Sequence, residues 1–405
     1  MTREGFSAAG PARDGGDAVG QVGRQRPSPG SANHPIARAP ARRVLLLTSH
    51  PVEGRDGADT EICIGLAEGL PEVAFTYFGR LGRPPSVPGR AIPLVSRTGR
   101  PGLLEGAQVA AWVPLLTRSV HLVHGVMTIG PRYAAWSRSR WAPRGRPLII
   151  TVPGVVSPDC LVGARPVGVT VALSEATANL LREAGHADVR VIPPGIDLTR
   201  WQYRPRELKP RPVLFFAGHT DRHGGAPEAI DVAARVQRAG IPLRLVMGLR
   251  VRRGQSEADE LAAAEAAARS AGLDQVEVHG NIADMRHALG DADIVLFTPE
   301  RLAGGKADIP FVVLEALATG RPAVVTRLPQ LRGLSGIVEQ VPVGALEDAA
   351  AAIERLLSVP ALWEERSRLG RAAVERVFGT ASMCKSYERL YEELSSAGFP
   401  TASKG

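Results

Sequence analysis

The feature that most constrains the fold is an alternation of short apolar runs with longer amphipathic stretches. Between residues 43 and 184 the apolar runs have the length of buried strands and the stretches between them have the length of helices. Such alternation predicts parallel strands joined by helical crossovers. The predicted strands are 43–49, 73–78, 120–124, 148–152 and 170–173, and the predicted helices are 60–70, 103–116 and 175–184.

The same pattern restarts after a proline-rich passage at 192–210 and becomes purely helical after residue 346. The sequence therefore predicts an α/β protein in which two Rossmann-like domains face each other across a cleft, followed by a C-terminal helical segment. The second set of predicted strands is 212–217, 242–247, 276–279, 293–297, 323–326 and 337–341. The predicted helices are 226–239, 257–271, 311–318, 349–357, 361–377 and 382–394.

The composition along the chain predicts the domain boundaries. Residues 1–41 are rich in Gly, Pro, Ala and Arg and have no apolar segment of the kind a signal peptide needs, so we expect a disordered tail. We expect an N-terminal Rossmann-like domain at 42–197, a linker at 198–209 and a C-terminal Rossmann-like domain at 210–378. The last helix, 379–396, is expected to pack back on the N-terminal domain.

Charge and cysteine content exclude several classes of protein. With 405 residues, 44% of them hydrophobic, the chain is long enough for full-sized cores, and its apolar runs are too short for membrane-spanning helices. The net charge of +8 comes almost entirely from arginine in a sequence that is also rich in Ala, Gly and Pro. A coding bias explains this as well as a polyanionic partner does, so no nucleic acid partner is predicted. The three isolated cysteines predict reduced thiols and a cytoplasmic protein.

The segment at 306–322 carries the strongest local signal for a binding site. Asp308 is a typical N-cap residue, Pro310 suits the first helical turn, and Gly320 with Pro322 ends the helix. The first turn, with Phe311, offers unpaired amides and the positive end of the helix dipole to a diphosphate. Glu315 is placed to accept hydrogen bonds from both ribose hydroxyls. The alternative is an ordinary crossover helix whose Glu315 pairs with an arginine.

These residues resemble the donor-site helix of the family 4 glycosyltransferases, which have the GT-B fold. Several further segments resemble motifs of that family and occur in the same order along the chain. The resemblance implies transfer of a sugar from a nucleotide-sugar, linked to UDP or GDP, with retention of configuration. It also implies that 42–197 is the acceptor domain and 210–378 the nucleotide-sugar donor domain. The matching segments are Val171–Glu175, Ile192–Asp197, Gly280 with Ala292–Asp293, and Glu315–Ala316 with Gly320–Pro322.

The sequence departs from the family pattern at the position of its first glutamate. Eight residues before Glu315 stands Ala307, and the nearest acid is Asp308. Either Asp308 contacts the transferred sugar as a catalytic residue, or it is the N-cap and the family carboxylate is missing. Both interpretations stay open at the level of sequence.

The expected phosphate loop also departs from the family, which usually has an arginine and a lysine there. The loop runs through Gly218, His219, Arg222 and His223, and we expect these residues to bind the donor. Arg222, helped by Lys306, is expected to stabilise the leaving group, because an arginine stays charged and forks well onto phosphate. The alternative is a solvated loop with ordinary surface charges.

In the first domain, the strand that ends at His124 resembles the histidine-bearing strand of the family. His124 is therefore a candidate catalytic residue that orients the sugar or the acceptor, and the alternative is a hydrogen-bonded core histidine. Gly57 and Asp59 correspond to the glycine-bearing first turn and are expected on the acceptor side.

Two further motifs bear on cofactors and partners. Asp291 and Asp293 form a D-x-D pattern, but Asp293 opens an apolar strand where the family has a structural Ala-Asp, so neither a metal nor any other cofactor is expected. The stretch 132–146 combines arginines with tryptophans. It could contact an anionic membrane peripherally, at the inner membrane face, or be a solvated face with packed rings.

The predicted function is thus sugar transfer to an acceptor hydroxyl on a secondary metabolite, a lipid or a glycan. A sugar-nucleotide epimerase of GT-B fold is one alternative, since it uses a similar cleft without an acceptor. A catalytically degenerate GT-B partner protein is the other, because Ala307, His219 and Val126 replace residues usual in the family.

Overall fold

The computed structural model describes most of the chain after residue 41, so the predicted disordered tail lies outside the described residues. The described residues are 42–48, 52, 57–80, 87–95, 102–139, 142–143, 145–154, 158–205, 207–220, 223–251, 254–282, 284–302 and 307–396.

The first half of this region forms one parallel sheet with helices on both faces. Its strands are β1 Arg42–Thr48, β2 Val73–Arg80, β3 Arg90–Leu94, β4 Leu122–Val126, β5 Leu148–Val152, β6 Val169–Ala172 and β7 Val189–Val191. Its helices are α1 Ala58–Gly69, α2 Leu103–Leu116, α3 Pro131–Arg138, α4 Pro158–Leu161 and α5 Glu175–Glu183. The strand order is β3-β2-β1-β4-β5-β6-β7.

The second half forms another parallel sheet, followed by helices. Its strands are β8 Val213–His219, β9 Arg244–Arg250, β10 Val276–His279, β11 Ile294–Phe297, β12 Ala323–Thr326 and β13 Glu339–Val341. The helices are α6 Ala226–Arg238, α7 Glu257–Ser270, α8 Met285–Asp291, α9 Phe311–Ala318, α10 Leu346–Ser358, α11 Pro360–Ala373 and α12 Thr380–Ser396, with a 3-10 helix at Pro329–Leu334 and a π-helical turn at Val374–Phe378. The strand order is β10-β9-β8-β11-β12-β13. The predicted α/β class with two Rossmann-like sheets is confirmed.

Burial explains why the strands lack polar alternation. All residues of β4, β5, β6, β11 and β12 are buried, because helices cover both faces of each sheet. In the first sheet, α1 and α12 pack on one face and α2, α3 and α5 on the other. In the second, α6, α7 and α10 cover one face, and α8, α9 and the 3-10 helix cover the other.

The C-terminal helix α12 returns to the first sheet. The chain crosses between the sheets twice at one place, where Ile196 and Gly379 form a β-bridge. Beyond it, Met383, Tyr387 and Tyr391 of α12 are buried in the core that α1 shares with the first sheet.

Sequence patterns missed several short elements. The edge strand β3 contains Pro93, which removes a backbone donor and weakens a strand signal. β7 is only three residues long and α8 only seven, too short for a visible period. The strand expected at 120–124 is shifted by two residues, to Leu122–Val126.

Candidate active site

The carboxyl ends of the two sheets lie against each other. In each sheet the strand order reverses, between β1 and β4 in the first and between β8 and β11 in the second. Such a reversal opens a crevice at the carboxyl ends of the strands, where ligands bind in doubly wound sheets. The sheets meet directly where Gly154, just after β5, bridges to Ala307, in the loop before α9. A cleft between the two crevices is therefore the candidate site.

The amino end of α9 enters this cleft without a side-chain cap. The N-cap is Pro310, which has extended backbone angles and no side-chain hydrogen bond to the helix, so the prediction that Asp308 caps the helix is wrong. At the other end Gly320 has a φ of 81°, a left-handed conformation that suits glycine. The first turn, beginning at Phe311, therefore keeps amide N–H groups that can donate hydrogen bonds to an anion.

Glu315 lies on α9 in a strongly perturbed environment. Burial raises the pKa of its carboxyl to about 8, the nearby Glu61 raises it further, and Arg200 and Arg250 oppose this shift. No donor among the described residues hydrogen-bonds the carboxylate. Glu61 belongs to α1 of the first sheet and lies 3.8 Å from Arg200. The carboxyl of Glu315 thus faces charged groups from both halves of the molecule, as a ligand-binding group in a cleft would.

Asp308 is directed away from the open cleft. Its carboxylate is fully buried and accepts hydrogen bonds from Ser174 Oγ at 2.8 Å and Thr177 Oγ1 at 2.7 Å. Both donors belong to the amino end of α5, and the Asp308 amide donates to the carbonyl of Pro153 at 3.2 Å. Burial raises the pKa of Asp308 to about 6, and the two hydroxyl donors oppose the shift. The structure corrects the expected sugar contact: Asp308 joins the two sheets.

The predicted phosphate loop follows β8 and turns tightly because of its glycines. A Cβ on Gly218 would lie 2.4 Å from the ring of Phe216 and 2.7 Å from the carbonyl oxygen of Gly224. Gly225, the N-cap of α6, has a φ of 90° and forms a β-bridge with His219. Side chains at these positions would push the loop off the strand, so the glycines bring the loop backbone close to the crevice.

The charged side chains of this loop are only partly described. His223 Nδ1 lies 3.1 Å from Glu300 Oε2, and Arg301 Nη2 lies 2.9 Å from His223 Nε2. This makes Arg301, in the loop after β11, a cation beside the phosphate loop. Arg222 and Lys306, the predicted leaving-group cations, lie outside the described residues.

Some polar groups near the cleft were not singled out from sequence. The buried hydroxyls of Thr220, after β8, and Thr298, after β11, have no hydrogen-bond partner among the described residues, which favours a polar ligand because buried polar groups are normally paired. Arg250 ends β9, next to His219 in register, and lies close enough to Glu315 to influence its pKa. Their position within three residues of the carboxyl ends of predicted strands is the signal that could have identified them.

His124 is a core residue rather than a cleft residue. It lies in the middle of β4, is completely buried, and its ring nitrogens are 2.7 Å from Tyr391 Oη and 2.7 Å from Thr151 Oγ1. Burial lowers its pKa to about 3, so the ring stays neutral. The predicted catalytic role is corrected, because both nitrogens are occupied and α12 covers the ring.

The predicted acceptor-side residues lie at the start of α1, at the carboxyl end of β1. Gly57 is the N-cap of α1, and its amide donates to Thr60 Oγ1 at 3.1 Å. Asp59 lies in the first turn and is partly exposed. Glu61, in the same helix, influences the pKa of Glu315, which places α1 opposite α9 across the cleft.

The D-x-D pattern has a structural role. Asp293 is fully buried, and its Oδ2 accepts a 2.7 Å hydrogen bond from the amide of Val213, tying β11 to β8. Asp291 instead lies 3.2 Å from His287 on α8. The two carboxylates therefore serve different contacts and do not converge on one point.

Part of the basic stretch 132–146 forms α3. There Trp136 is half-buried, packs against the core of the first sheet, and has its ring 5.7 Å from that of Tyr133. Arg140, Trp141 and Arg144 lie outside the described residues. In the part that is described, no helix has the length and apolar character needed to cross a membrane.

Comparisons with known proteins address the fold and the family. Residues 211–359 match the profile of the family described as glycosyl transferases group 1. A glycosyltransferase from Rickettsia africae has a similar structure, with a TM-score of 0.68 and 14% identity over 88% of this chain and 100% of the other. Sucrose-phosphate synthase of Thermosynechococcus elongatus gives a TM-score of 0.66 and 17% identity over 88% of this chain and 99% of the other.

A third similar structure contains a nucleotide. Anabaena HepE in complex with UDP gives a TM-score of 0.68 and 16% identity over 87% of this chain and 100% of the other. No curated protein sequence matches the chain. The family match covers only the second sheet, whereas the structural similarity covers both sheets. Residues 211–359 thus match the group 1 glycosyl transferases, and the chain as a whole has the two-sheet GT-B fold, as the resemblance seen in the sequence implied.

Proposed function

We propose that this protein is a glycosyltransferase that moves a sugar from a UDP- or GDP-linked donor to an acceptor hydroxyl with retention of configuration. The observation that carries the proposal is the uncapped amino end of α9 in the cleft, together with the carboxyl of Glu315 on the same helix, which accepts no hydrogen bond from any described residue. Support for a nucleotide-sugar comes from HepE, whose structures include complexes with UDP and with UDP-glucose.

In this proposal the donor lies along the second sheet. The diphosphate binds the first turn of α9, and Glu315 accepts hydrogen bonds from the ribose hydroxyls. The cleft holds the donor next to the acceptor hydroxyl, which supplies much of the rate enhancement. The amides of α9, with Arg222 and Lys306, stabilise the departing diphosphate, so the reaction needs no metal ion.

A nucleotide panel tests the proposal. UDP or GDP in large excess over a micromolar dissociation constant should raise the free energy of unfolding by a few kcal/mol, seen as a thermal shift. Glu315→Ala should weaken nucleotide binding by about 1.5–3 kcal/mol, the range for a hydrogen bond to a charged group. Glu364→Ala, at an exposed position of α11, is the matched control. Unchanged affinity of the Glu315 variant in calorimetry would refute the ribose contact.

A catalytically degenerate partner protein is the second candidate. It is favoured by the engagement of His124 and Asp308 in hydrogen bonds within the protein, since the family resemblance assigned catalytic roles to these positions. Radiolabelled UDP- and GDP-sugars separate the candidates. Sugar transfer or slow hydrolysis supports the enzyme, an isomerised donor indicates an epimerase, and binding without turnover indicates the degenerate partner.

A further inference from the structure

Helix α2 is apolar around its whole circumference. Glu105 and Gln108 are its only polar residues, and both are engaged, because Glu105 accepts from the amide of Gly102 and Gln108 bonds to the end of β3. One side of the helix, including Val113 and Leu116, packs in the core of the first sheet. A helix that is apolar all round is normally covered on all sides.

The opposite side of α2 is nevertheless exposed. Leu104 is 79% exposed, Leu115 56% and Trp112 40%, and these positions fall on one helical face, which also includes the exposed Ala107 and Ala111. We call these five residues the α2 apolar face. Val95, 64% exposed, lies beside it, because its amide donates to Gln108. Four of the nine large apolar side chains exposed in the described part of the chain are therefore concentrated here.

A cluster of arginines adjoins the C-terminal end of this face. Arg43 donates to the carbonyl of Ser119 at 2.6 Å, and Arg146 donates to the carbonyls of Thr117 at 3.1 Å and Arg118 at 3.2 Å. Burial lowers the pKa of the neighbouring His121, and Arg43, Arg146 and Arg42 lower it further, as expected where positive potential accumulates. Arg43 and Arg118 are exposed.

The combination of an exposed apolar face with adjoining arginines fits an anionic lipid surface. Such surfaces take up apolar side chains at the depth of the headgroups and attract each nearby arginine by about 1 kcal/mol. A second copy of the chain fits less well. A 14-residue helix is about 21 Å long and about 10 Å wide, so the face covers about 200 Å², whereas a stable interface needs about 800 Å² per partner.

We infer that the α2 apolar face docks this protein on an anionic lipid bilayer. α2 starts where the chain leaves the carboxyl edge of the first sheet and runs towards the amino edge, so the docked face begins at the edge that borders the cleft. The inference rests on α2 and the arginines and does not depend on the identity of donor or acceptor.

Vesicle sedimentation tests the inference with the full chain. We expect binding to vesicles of phosphatidylcholine and phosphatidylglycerol in equal parts, and little binding to phosphatidylcholine alone. The double variant Leu104→Ser and Leu115→Ser should bind at least about tenfold more weakly. The control, Val359→Ser with Leu369→Ser, changes two exposed apolar residues near the second sheet and should bind normally.

Charge is tested separately. Arg118→Glu should weaken binding to the anionic vesicles by about tenfold or more, whereas Arg286→Glu, exposed on α8, should not. Thermal shift with UDP or GDP should be the same in the α2 variants and the wild type, which shows that they are folded and separates this inference from the proposed function. Absence of vesicle binding, equal binding of the α2 variant, or a dimer that this variant dissociates would each overturn the inference.

Discussion

The contact between Asp308 and the amino end of α5 makes a prediction about stability and pH. Its carboxylate is buried between the two sheets with two hydroxyl donors and no cation among the described residues, and its pKa rises from 3.8 to about 6. A difference of about two pKa units corresponds to about 3 kcal/mol. The charged form of Asp308 therefore costs the folded protein about that much.

Proton linkage gives the direction in which stability changes with pH. Because the pKa is higher in the folded state, the folded protein binds more protons, and the stability that protonated Asp308 contributes is complete below about pH 4. It is lost as the pH rises through about 6. Asp308→Asn keeps the shape, with an amide that can accept from one hydroxyl and donate to the other, but it does not titrate.

The assay is urea unfolding of the wild type and Asp308→Asn at a series of pH values. Relative to the wild type, the variant should gain about 2 kcal/mol in free energy of unfolding between about pH 4.5 and pH 7.5. Thr177→Val, which removes one hydroxyl donor at constant volume, should cost about 1.5–3 kcal/mol, and Thr177→Ser should restore most of it. Parallel pH profiles of the wild type and Asp308→Asn would refute a carboxylate buried between the sheets.

Three further predictions concern the site and its surroundings. Because the pKa of Glu315 is about 8, nucleotide affinity should rise about tenfold per pH unit towards pH 8 as the carboxylate ionises, and calorimetry of Glu315→Gln should show no such component. His124→Phe should leave the buried hydroxyl of Tyr391 unpaired and so destabilise the protein by about 1–3 kcal/mol in urea unfolding. Activity per folded molecule should persist, and its loss in a fully folded variant would contradict the core role of His124. Gly218→Ala should displace the phosphate loop and lower nucleotide affinity in thermal shift, whereas Gly130→Ala, where the added Cβ meets open space, should not. Equal affinities of the two variants would contradict the close approach of the loop backbone to the nucleotide.

Local patterns predicted the elements on which the site is built. The bounds of α9 follow from its apolar run between Pro310 and Gly320, and its bounds of Phe311–Ala318 were predicted correctly. The parallel sheets follow from fully apolar strands, because burial on both faces leaves no polar alternation to obscure their length. Short or proline-bearing elements such as β3 escaped prediction because their signals are weak.

The roles of individual polar residues could not be predicted in this way. Asp308 lies 134 residues from Ser174, and His124 lies 267 residues from Tyr391, so their partners are set by the packing of distant segments. The family pattern placed both residues in the site, but in this chain each satisfies its hydrogen bonds within the protein.

The amino-acid sequence by itself determined the succession of strands and helices, the two parallel sheets and the bounds of helix α9. Periodicity and capping depend on near neighbours, so they can be read along the chain. Only the tertiary structure decided which polar side chains face the cleft, which join the sheets, and which apolar face of α2 remains uncovered. Those outcomes depend on which surfaces come together in space, and no short stretch of sequence records that.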